Sequence, residues 1–397
     1  MEKIYQQSLA LHAKVKGKIE IKTKLPLRNR KDLSLAYTPG VAQPSIEISK
    51  DTKKVYDYTW KSNTIAIISD GSAVLGLGNI GAEASLPVLE GKSMLFKALA
   101  NINCIPIALK TQDPKEIIQI IKNISPTFGA ICLEDISAPR CFEVENNLQD
   151  LGIPVMHDDQ HGTAVVILAA LINSCKVVEK KLNDLRIVIS GAGAAGTAIT
   201  KLLLCTGLDK NICIPVGEII VCDKAGPIYE GRKEDMNPFK VWMSQHTNPR
   251  KVRGTLANAM KNADVFIGVS APNLVDEAMI KSMAKKAIVF AMANPVPEIM
   301  PDKAKMAGAT IVGTGRSDFP NQINNILGFP GLFRGVLDAR ATQINGQMKI
   351  AAAHTIASCL PKPTKEKILP FPLDKKVVKK VAAAVIKAAR ETGVAKV

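Results

Sequence analysis

Residues 186–196 read Arg-Ile-Val-Ile-Ser-Gly-Ala-Gly-Ala-Ala-Gly, a short apolar run followed by glycines in the spacing G-x-G-x-x-G. The run predicts a buried β-strand, and the segment Ala194–Cys205 that follows predicts a helix. Each glycine has a physical task in such a turn. Gly191 permits the tight bend, Gly193 lets a phosphate approach the backbone, and Gly196 lets helix and strand pack closely. The stretch therefore predicts a dinucleotide site on a Rossmann-type fold.

The residues around this loop extend the same prediction. The helix start at Ala194 and Ala195 would offer free N–H groups to a pyrophosphate. The next apolar run, 218–222, ends in Asp223, where an acid would accept hydrogen bonds from the adenosine ribose. The neighbouring Lys224 could instead meet a 2′-phosphate, so the choice between NAD and NADP stays open.

Strand-like and helix-like segments alternate on both sides of the loop. Such alternation predicts βα units and mostly parallel sheets, and a chain of 397 residues suggests two to three domains. The predicted fold class is α/β with two domains, an N-terminal parallel-sheet domain and a doubly wound, Rossmann-type NAD(P)-binding domain. The predicted boundaries are 1–160 for the substrate and metal domain, 161–365 for the coenzyme domain, and 366–397 for a C-terminal helical segment that packs back on the body.

Two acidic pairs follow predicted strands. Glu134 and Asp135 end the run FGAICL, and Asp158 and Asp159 follow the run IPVM. Carboxyl ends of parallel strands lie at one edge of a sheet, where ligands bind. Clustered carboxylates repel one another unless a cation lies between them, and oxygen ligands favour Mg²⁺ or Mn²⁺. The alternative is that these acids cap helices. The neighbouring His157 and His161 are expected to pack at a helix entry.

A second G-x-G-x-x-G match, Gly76–Gly81, follows the strand-like run 64–69 and a short apolar stretch. No acid-terminated strand comes at the spacing that a dinucleotide fingerprint requires. We therefore interpret it as an active-site loop, with a second dinucleotide loop as the alternative.

Composition and charge limit the binding partners and the cellular compartment that we expect. The formal net charge is +16, and the lysines are scattered without interleaved aromatic residues, which favours a solvated basic surface over a nucleic-acid module. None of the eight cysteines forms a C-x-x-C pair, which predicts reduced core thiols. No signal peptide is evident, and no apolar run approaches the roughly 18 residues of a membrane span. We expect a cytoplasmic protein with neither nucleic acid nor membrane as partner.

At this point several motifs resemble those of malic enzymes of the short bacterial type. The resemblance runs from about residue 5 to the C-terminus and keeps the order of the motifs. The residues that carry it are 36–42 (AYTPGVA), 76–81 (GLGNIG), 90–92 (EGK), 133–136 (LEDI), 157–164 (HDDQHGTA), 293–295 (ANP) and 321–325 (NQINN).

The resemblance implies a reaction and residue roles. The reaction is oxidative decarboxylation of L-malate to pyruvate and CO₂, with NAD or NADP reduced, Mg²⁺ or Mn²⁺ required, and a homodimer or higher homo-oligomer as the assembly. Lys92 would be the general base on the malate hydroxyl, with Asp158 beside it, and Tyr37 the acid that protonates enolpyruvate. Glu134, Asp135 and Asp159 would hold the metal. Asn294 and Asn325 would position the substrate and the nicotinamide.

One departure and two alternatives remain. Animal-type malic enzymes carry a substrate-clamping arginine where this chain has Ala73, so the clamp must come from elsewhere. A metal-independent dehydrogenase for another hydroxy or amino acid is the second enzyme hypothesis. A basic nucleic-acid-binding protein is the hypothesis from another class. The irregular segment Lys24–Pro44, which carries Tyr37, could reach a neighbouring subunit.

Overall fold

The computed structural model describes residues 2–209 and 211–397. Two parallel sheets lie on either side of one long apolar helix, as the alternation of apolar runs predicts. The fold is therefore α/β with two sheet domains.

The first sheet contains four parallel strands in the order β2-β1-β3-β4. β1 lies between β2 and β3, and its six residues are all buried because alternate side chains pack into cores on opposite faces of the sheet. The strands are β1 (Thr64–Ser69), β2 (Asn103–Ala108), β3 (Ala130–Leu133) and β4 (Val155–His157). The helices up to this point are α1 (Glu2–Val15), α2 (Arg30–Ala36), α3 (Ala42–Lys50), α4 (Val55–Tyr58), α5 (Ala82–Ala100), α6 (Pro114–Ile124) and α7 (Arg140–Asn146).

The second sheet has the order β10-β9-β8-β5-β6-β7, parallel except for the short last strand. The chain leaves β5 first toward β6 and later returns to its other side with β8, so the direction of winding reverses at β5. Such a switch point is where doubly wound sheets bind ligands. The strands are β5 (Arg186–Ser190), β6 (Glu218–Asp223), β7 (Gly226–Pro227), β8 (Val265–Gly268), β9 (Ile288–Ala291) and β10 (Ile311–Thr314).

The helix α8 (Asp158–Val178) joins the two sheets and packs against α9 (Ala194–Leu203). It begins three residues earlier than the sequence predicts, so Asp158 and Asp159 belong to its first turn. By length and composition it could cross a membrane, but 72% of its apolar window is buried inside the protein, as in the core helix of a globular domain.

The remaining helices belong to the second domain and to the C-terminal segment. The C-terminal helix packs against the two helices before it and against α5 of the first domain. The predicted boundaries at residues 160 and 365 stay predictions. The remaining helices are α10 (Pro238–His246), α11 (Leu256–Met260), α12 (Glu277–Lys281), α13 (Pro301–Met306), α14 (Phe329–Asp338), α15 (Gly346–Ser358) and α16 (Lys375–Glu391).

The cysteines correct one prediction. Six are free, but Cys205 and Cys213 form a disulfide, so the expectation of eight reduced thiols is wrong for this pair. The turn after α9 folds the chain back and brings the two Cα atoms to 5.6 Å, a contact between residues eight positions apart that periodicity does not reveal. The cysteine pattern therefore no longer supports a reducing compartment.

Candidate active site

The two acidic pairs lie together because β3 and β4 are parallel neighbours. Leu133 pairs with His157 in the register, so the residues that follow each strand leave the same edge of the sheet. One oxygen from each of Glu134, Asp135 and Asp159 lies within 4.8 Å of the others. The structure thus brings together the three carboxylates that the resemblance implies as metal ligands.

Their hydrogen bonds argue against the capping alternative. No side chain caps α7 or α8, and the backbone N–H of Asp135 donates to Asp159 Oδ2 at 2.8 Å. Asp135 adopts a left-handed backbone conformation (φ +54°), which turns the chain sharply after β3. The carboxylates are therefore held toward one another instead of toward helix ends.

Burial and mutual repulsion make the charged forms of this carboxylate triad unfavourable. Burial and the nearby Asp159 raise the pKa of Glu134 well above its ordinary range and the pKa of Asp135 to about 7. Asp135 Oδ2 is buried and has no hydrogen-bond partner among the described residues. A divalent cation prefers oxygen ligands and would supply both the missing partner and the missing charge, so the residues present fit Mg²⁺ or Mn²⁺.

Lys92 enters the site from α5. Its ammonium donates to Glu134 and, at 2.5 Å, to Asp158 Oδ2, and the same oxygen accepts from Asn325 Nδ2 at 2.6 Å. The ammonium also lies 5.0 Å from the centre of the Phe329 ring. The structure therefore places Asp158 beside Lys92, where the resemblance puts it, and adds Asn325 to the same hydrogen-bonded network.

The charge state of Lys92 is set by two opposing effects. A buried lysine beside other cations would have a lowered pKa. Here burial does lower the pKa of Lys92, but the carboxylates of Asp158 and Glu134 outweigh it, and the pKa lies well above the ordinary value. Without a further cation the lysine holds its proton.

A second group of side chains supports α8 at its start. Gln160 Nε2 lies 3.2 Å from His157 Nδ1, and His157 Nε2 lies 3.3 Å from Asp159 Oδ2. Glu145 accepts from the backbone N–H of His157 at 2.9 Å and contacts His161 Nε2 at 3.0 Å. The two histidines thus brace the helix entry, as expected, and neither is among the clustered ligand atoms.

The glycine loop has the geometry that its pattern predicts. A Cβ at Gly191 would lie 2.6 Å from the carbonyl oxygen of Val269, and one at Gly196 would lie 1.8 Å from that of Gly191. A Cβ at Gly193 would meet no atom within 4 Å, so the backbone there is open to a ligand. Ala194 and Ala195 form the first turn of α9, whose N–H groups point at this space.

The acid after β6 is already paired. Asp223 accepts from Arg232 Nη1 at 2.8 Å and lies 2.8 Å from Lys240 Nζ, which together with Arg232 lowers its pKa against the effect of burial. Lys224 is exposed and lies 3.8 Å from Asp235. The carboxylate of Asp223 is therefore occupied by two cations, and Lys240 also pairs with Asp235 at 2.9 Å, an arrangement that the sequence does not reveal.

Two loops close the cleft between the domains. A Cβ at Gly76 would lie 1.8 Å from the carbonyl oxygen of Asn294, so the first-domain glycine loop packs against the second domain. The backbone N–H of Leu75 reaches Asp135 Oδ1 at 3.5 Å, which supports the active-site interpretation of Gly76–Gly81. The buried Glu298 accepts from the backbone N–H of Ala293 at 3.0 Å and so holds the exposed Asn294 at the rim.

Tyr37 is the implied site residue that lies apart. It follows α2, its side chain is 65% exposed, and the structure records no contact between it and Lys92 or the carboxylate triad within the described chain. Many large apolar side chains of the surrounding N-terminal segment are exposed as well. One protomer alone does not bring this tyrosine to the lysine.

Arg140 is a residue that the sequence reasoning missed. It begins α7 shortly after Asp135, donates to Ser137 Oγ at 2.9 Å, and lies 3.6 Å from the buried Asp70. Its Nε is buried without a hydrogen-bond partner among the residues described. The sequence offered one signal for Arg140, which is that an arginine lies in the segment following Glu134 and Asp135.

Comparisons with known proteins show the family to which the chain is similar. A family model described as "Malic enzyme, NAD binding domain" matches residues 160–390, and one described as "Malic enzyme, N-terminal domain" matches residues 16–118. The "Bifunctional malic/malolactic enzyme" of Bacillus subtilis (strain 168) is 52% identical over 395 residues, which cover 99% of this chain and 94% of the relative.

Two further relatives cover most of the chain. The "NAD-dependent malic enzyme" of Geobacillus stearothermophilus is 52% identical over 383 residues, covering 96% of this chain and 78% of the relative. The crystal structure of an NAD-dependent malic enzyme from Thermotoga maritima has a TM-score of 0.90 at 45% identity and covers 95% of this chain and 98% of that chain.

Proposed function

This chain belongs to the malic enzyme family, and we propose that it catalyses the oxidative decarboxylation of L-malate to pyruvate and CO₂ with reduction of NAD or NADP. The observation that carries the proposal is the buried network of Lys92, Asp158 and Asn325 beside the carboxylate triad. A positioned base and a site for a cation, next to a dinucleotide loop, are what this reaction needs.

The triad Glu134, Asp135 and Asp159 would hold Mg²⁺ or Mn²⁺. When bound, such a cation stabilises negative charge on the malate hydroxyl and carboxylate oxygens and on the ketone that follows. The glycine loop would hold the coenzyme, which supplies the acceptor for the hydride of malate C2.

Lys92 would act as the general base. A cation at the triad would compete with Lys92 for Glu134, one of the two carboxylates that hold its pKa high, and its positive charge would favour the neutral amine. The amine would take the proton of the C2 hydroxyl. Asp158 and Asn325 would keep Nζ at the place where that proton leaves.

Tyr37 would act as the acid in a later step. Loss of the C4 carboxylate as CO₂ leaves its bonding electrons on the enolate of pyruvate, and a phenol can protonate C3. Because Tyr37 is exposed within a largely exposed apolar segment, we infer that it serves the active site of a second copy of the chain. The assembly would then be a homodimer or a larger homo-oligomer.

Arg140 would bind a carboxylate of malate in place of the arginine that is absent at Ala73. The backbone N–H of Ala73 donates to the carbonyl of Asp135 at 2.9 Å, which sets this segment beside the metal ligands. The buried, unpaired Nε of Arg140 is a donor that a carboxylate could accept from. Asp70 holds the guanidinium near that position.

The experiment is an analysis of products from L-malate with each coenzyme, with and without Mn²⁺. The proposal expects pyruvate and reduced coenzyme in equal amounts, and loss of both when EDTA removes the metal. Accumulation of oxaloacetate, or turnover that persists in excess EDTA, would instead support a metal-independent dehydrogenase. Steeply salt-dependent DNA or RNA binding without turnover would support the nucleic-acid hypothesis.

A further inference from the structure

A cavity of about 230 Å³ lies between the two domains, away from the proposed active site. The start of α8 and the end of α7 form one wall, and α9, α10 and α15 form the others. None of the residues of the glycine loop or of the carboxylate triad lines it. The charged side chains that do line it are Glu145, His161, Lys201 and Lys349.

Lys349 lies in the first turn of α15, within electrostatic range of Glu145 but without a carboxylate of the described residues in direct contact. Among residues 2–209 and 211–397 no hydrogen bond or ion pair is recorded for its ammonium, and burial lowers its pKa to about 8. A desolvated cation without a partner is costly, so its position at a cavity wall indicates that a partner belongs there.

Lys201 contributes a second cation from α9. Its ammonium lies 5.4 Å from the centre of the Trp242 ring and 6.0 Å from that of Phe239. The described residues give it no carboxylate partner either. These aromatic faces hold the lysine in place without neutralising its charge.

Glu145, the acid that lines the cavity, already has three polar partners. Glu145 accepts from the backbone N–H of His157 and from Gln160 Nε2, each at 2.9 Å, and meets His161 Nε2 at 3.0 Å. Burial raises the pKa of Glu145, but His161 and Lys349 outweigh it and lower the pKa to about 2, so the group is ionised. One carboxylate facing two lysines leaves the cavity with surplus positive charge.

We propose that this cavity binds a small anion bearing a carboxylate or phosphate group, with Lys349 and Lys201 as its cationic ligands. The volume lies below the range of about 300–1,000 Å³ that is usual for larger ligands, so a dinucleotide does not fit. The anion would link α9 of the coenzyme domain to α15. It would also lie near the wall that contains Glu145. The carboxylate of Glu145 accepts a hydrogen bond from the backbone N–H of His157, the residue just before Asp158.

The test is binding of two probes, inorganic phosphate and acetate, to the full chain saturated with coenzyme and kept free of divalent metal, at constant ionic strength, so that a metal in the active site holds neither probe. Isothermal titration and the shift in Tm report binding, and whichever probe binds identifies the chemical source. Lys349→Met should weaken binding by about tenfold or more, since a charge-assisted hydrogen bond is lost. The control is Lys379→Met, which removes the same charge from an exposed site on α16.

The two outcomes separate cleanly. Binding that weakens in Lys349→Met and persists in Lys379→Met supports the proposal, while turnover of malate stays at the wild-type rate in both variants. No binding of either probe to the wild-type chain, or equal binding to Lys349→Met, overturns it. Should Lys349→Met fail to fold, Lys201→Met removes the second ligand and makes the same test.

Discussion

Lys92 donates a hydrogen bond of 2.5 Å to Asp158, a residue 66 positions away along the chain. One comes from the middle of α5 and the other from the first turn of α8. A Cβ at Gly162 would lie 1.9 Å from Asp158 Oδ1, so the glycine one turn later leaves room for this carboxylate. The contact sets the lysine at the edge of the carboxylate triad.

The triad predicts how metal binding depends on pH. Because the pKa of Asp135 is raised to about 7, the metal-free site binds a proton below that pH, which a divalent cation must displace. Mn²⁺ affinity should therefore rise with pH up to about 7 and then level off. Titration calorimetry in buffers of different ionisation enthalpy should detect proton release below pH 7, and a flat affinity from pH 5 to 8 would contradict the geometry.

The carboxyl group of Asp135 also predicts how the free energy of unfolding of the metal-free protein depends on pH. Between the ordinary value of 3.8 and about 7, the folded metal-free protein binds more protons than the unfolded chain. Its free energy of unfolding should therefore fall as pH rises through this window. Saturating Mn²⁺ should remove the dependence, which chemical denaturation with and without the metal can measure.

Arg140 is expected to bind malate and not to transfer protons. Arg140→Gln should raise KM for malate by about 10- to 100-fold with a smaller change in kcat, because one charge-assisted bond to a carboxylate is lost in the ground and transition states alike. Steady-state kinetics decides this. The matched control is Arg250→Gln, a surface change near Glu218. An unchanged KM in Arg140→Gln would show that Arg140 does not bind malate.

The position of Tyr37 predicts complementation between subunits. Tyr37→Phe and Lys92→Ala should each be nearly inactive, but co-expressed chains should regain about a quarter of wild-type activity if subunits pair at random. In a mixed dimer, one site receives the intact tyrosine of one chain and the intact lysine of the other. Absence of any recovery in isolated mixed dimers would mean that each site takes both residues from one chain.

The pairing of Asp223 predicts how coenzyme preference responds to mutation. Lys240 and Arg232 both pair with its carboxylate, so Asp223 is not a free acceptor for the ribose hydroxyls, and we expect both cations to lie near an adenosine 2′-phosphate. Lys240→Met should raise the ratio of kcat/KM for NAD over NADP by about tenfold or more. Lys224→Met, which alters an exposed and screened charge, should change the ratio less. An unchanged ratio in Lys240→Met would be inconsistent with a coenzyme-contacting role for this strand end.

How much the sequence predicts depends on how local the determinants are. The glycine loop and the two acidic pairs are short segments next to strands, and strand direction alone places them at sheet edges. The network around Lys92 depends on contacts over 66 and 167 residues, for which only the family resemblance gave a signal.

Other features escaped prediction for related reasons. The pairing of Asp223 with Arg232 and Lys240 depends on the direction of side chains, which a single sequence does not give. The raised pKa of Lys92 has the same origin, since the balance between burial and neighbouring carboxylates is a property of the packed site. The disulfide depends on a turn after α9 that no periodic pattern marks.

The most direct test of the account is the rate of pyruvate formation from L-malate by Lys92→Ala, compared with Lys97→Ala on the same helix. With Mn²⁺ and coenzyme saturating, Lys92→Ala should turn over about 10²- to 10⁴-fold more slowly, the usual contribution of a positioned base. The ammonium of the exposed Lys97 donates to Asn103, its one recorded side-chain partner within the described residues, and its variant should keep the wild-type rate. Wild-type turnover in Lys92→Ala, with Mn²⁺ binding intact, would contradict the central claim.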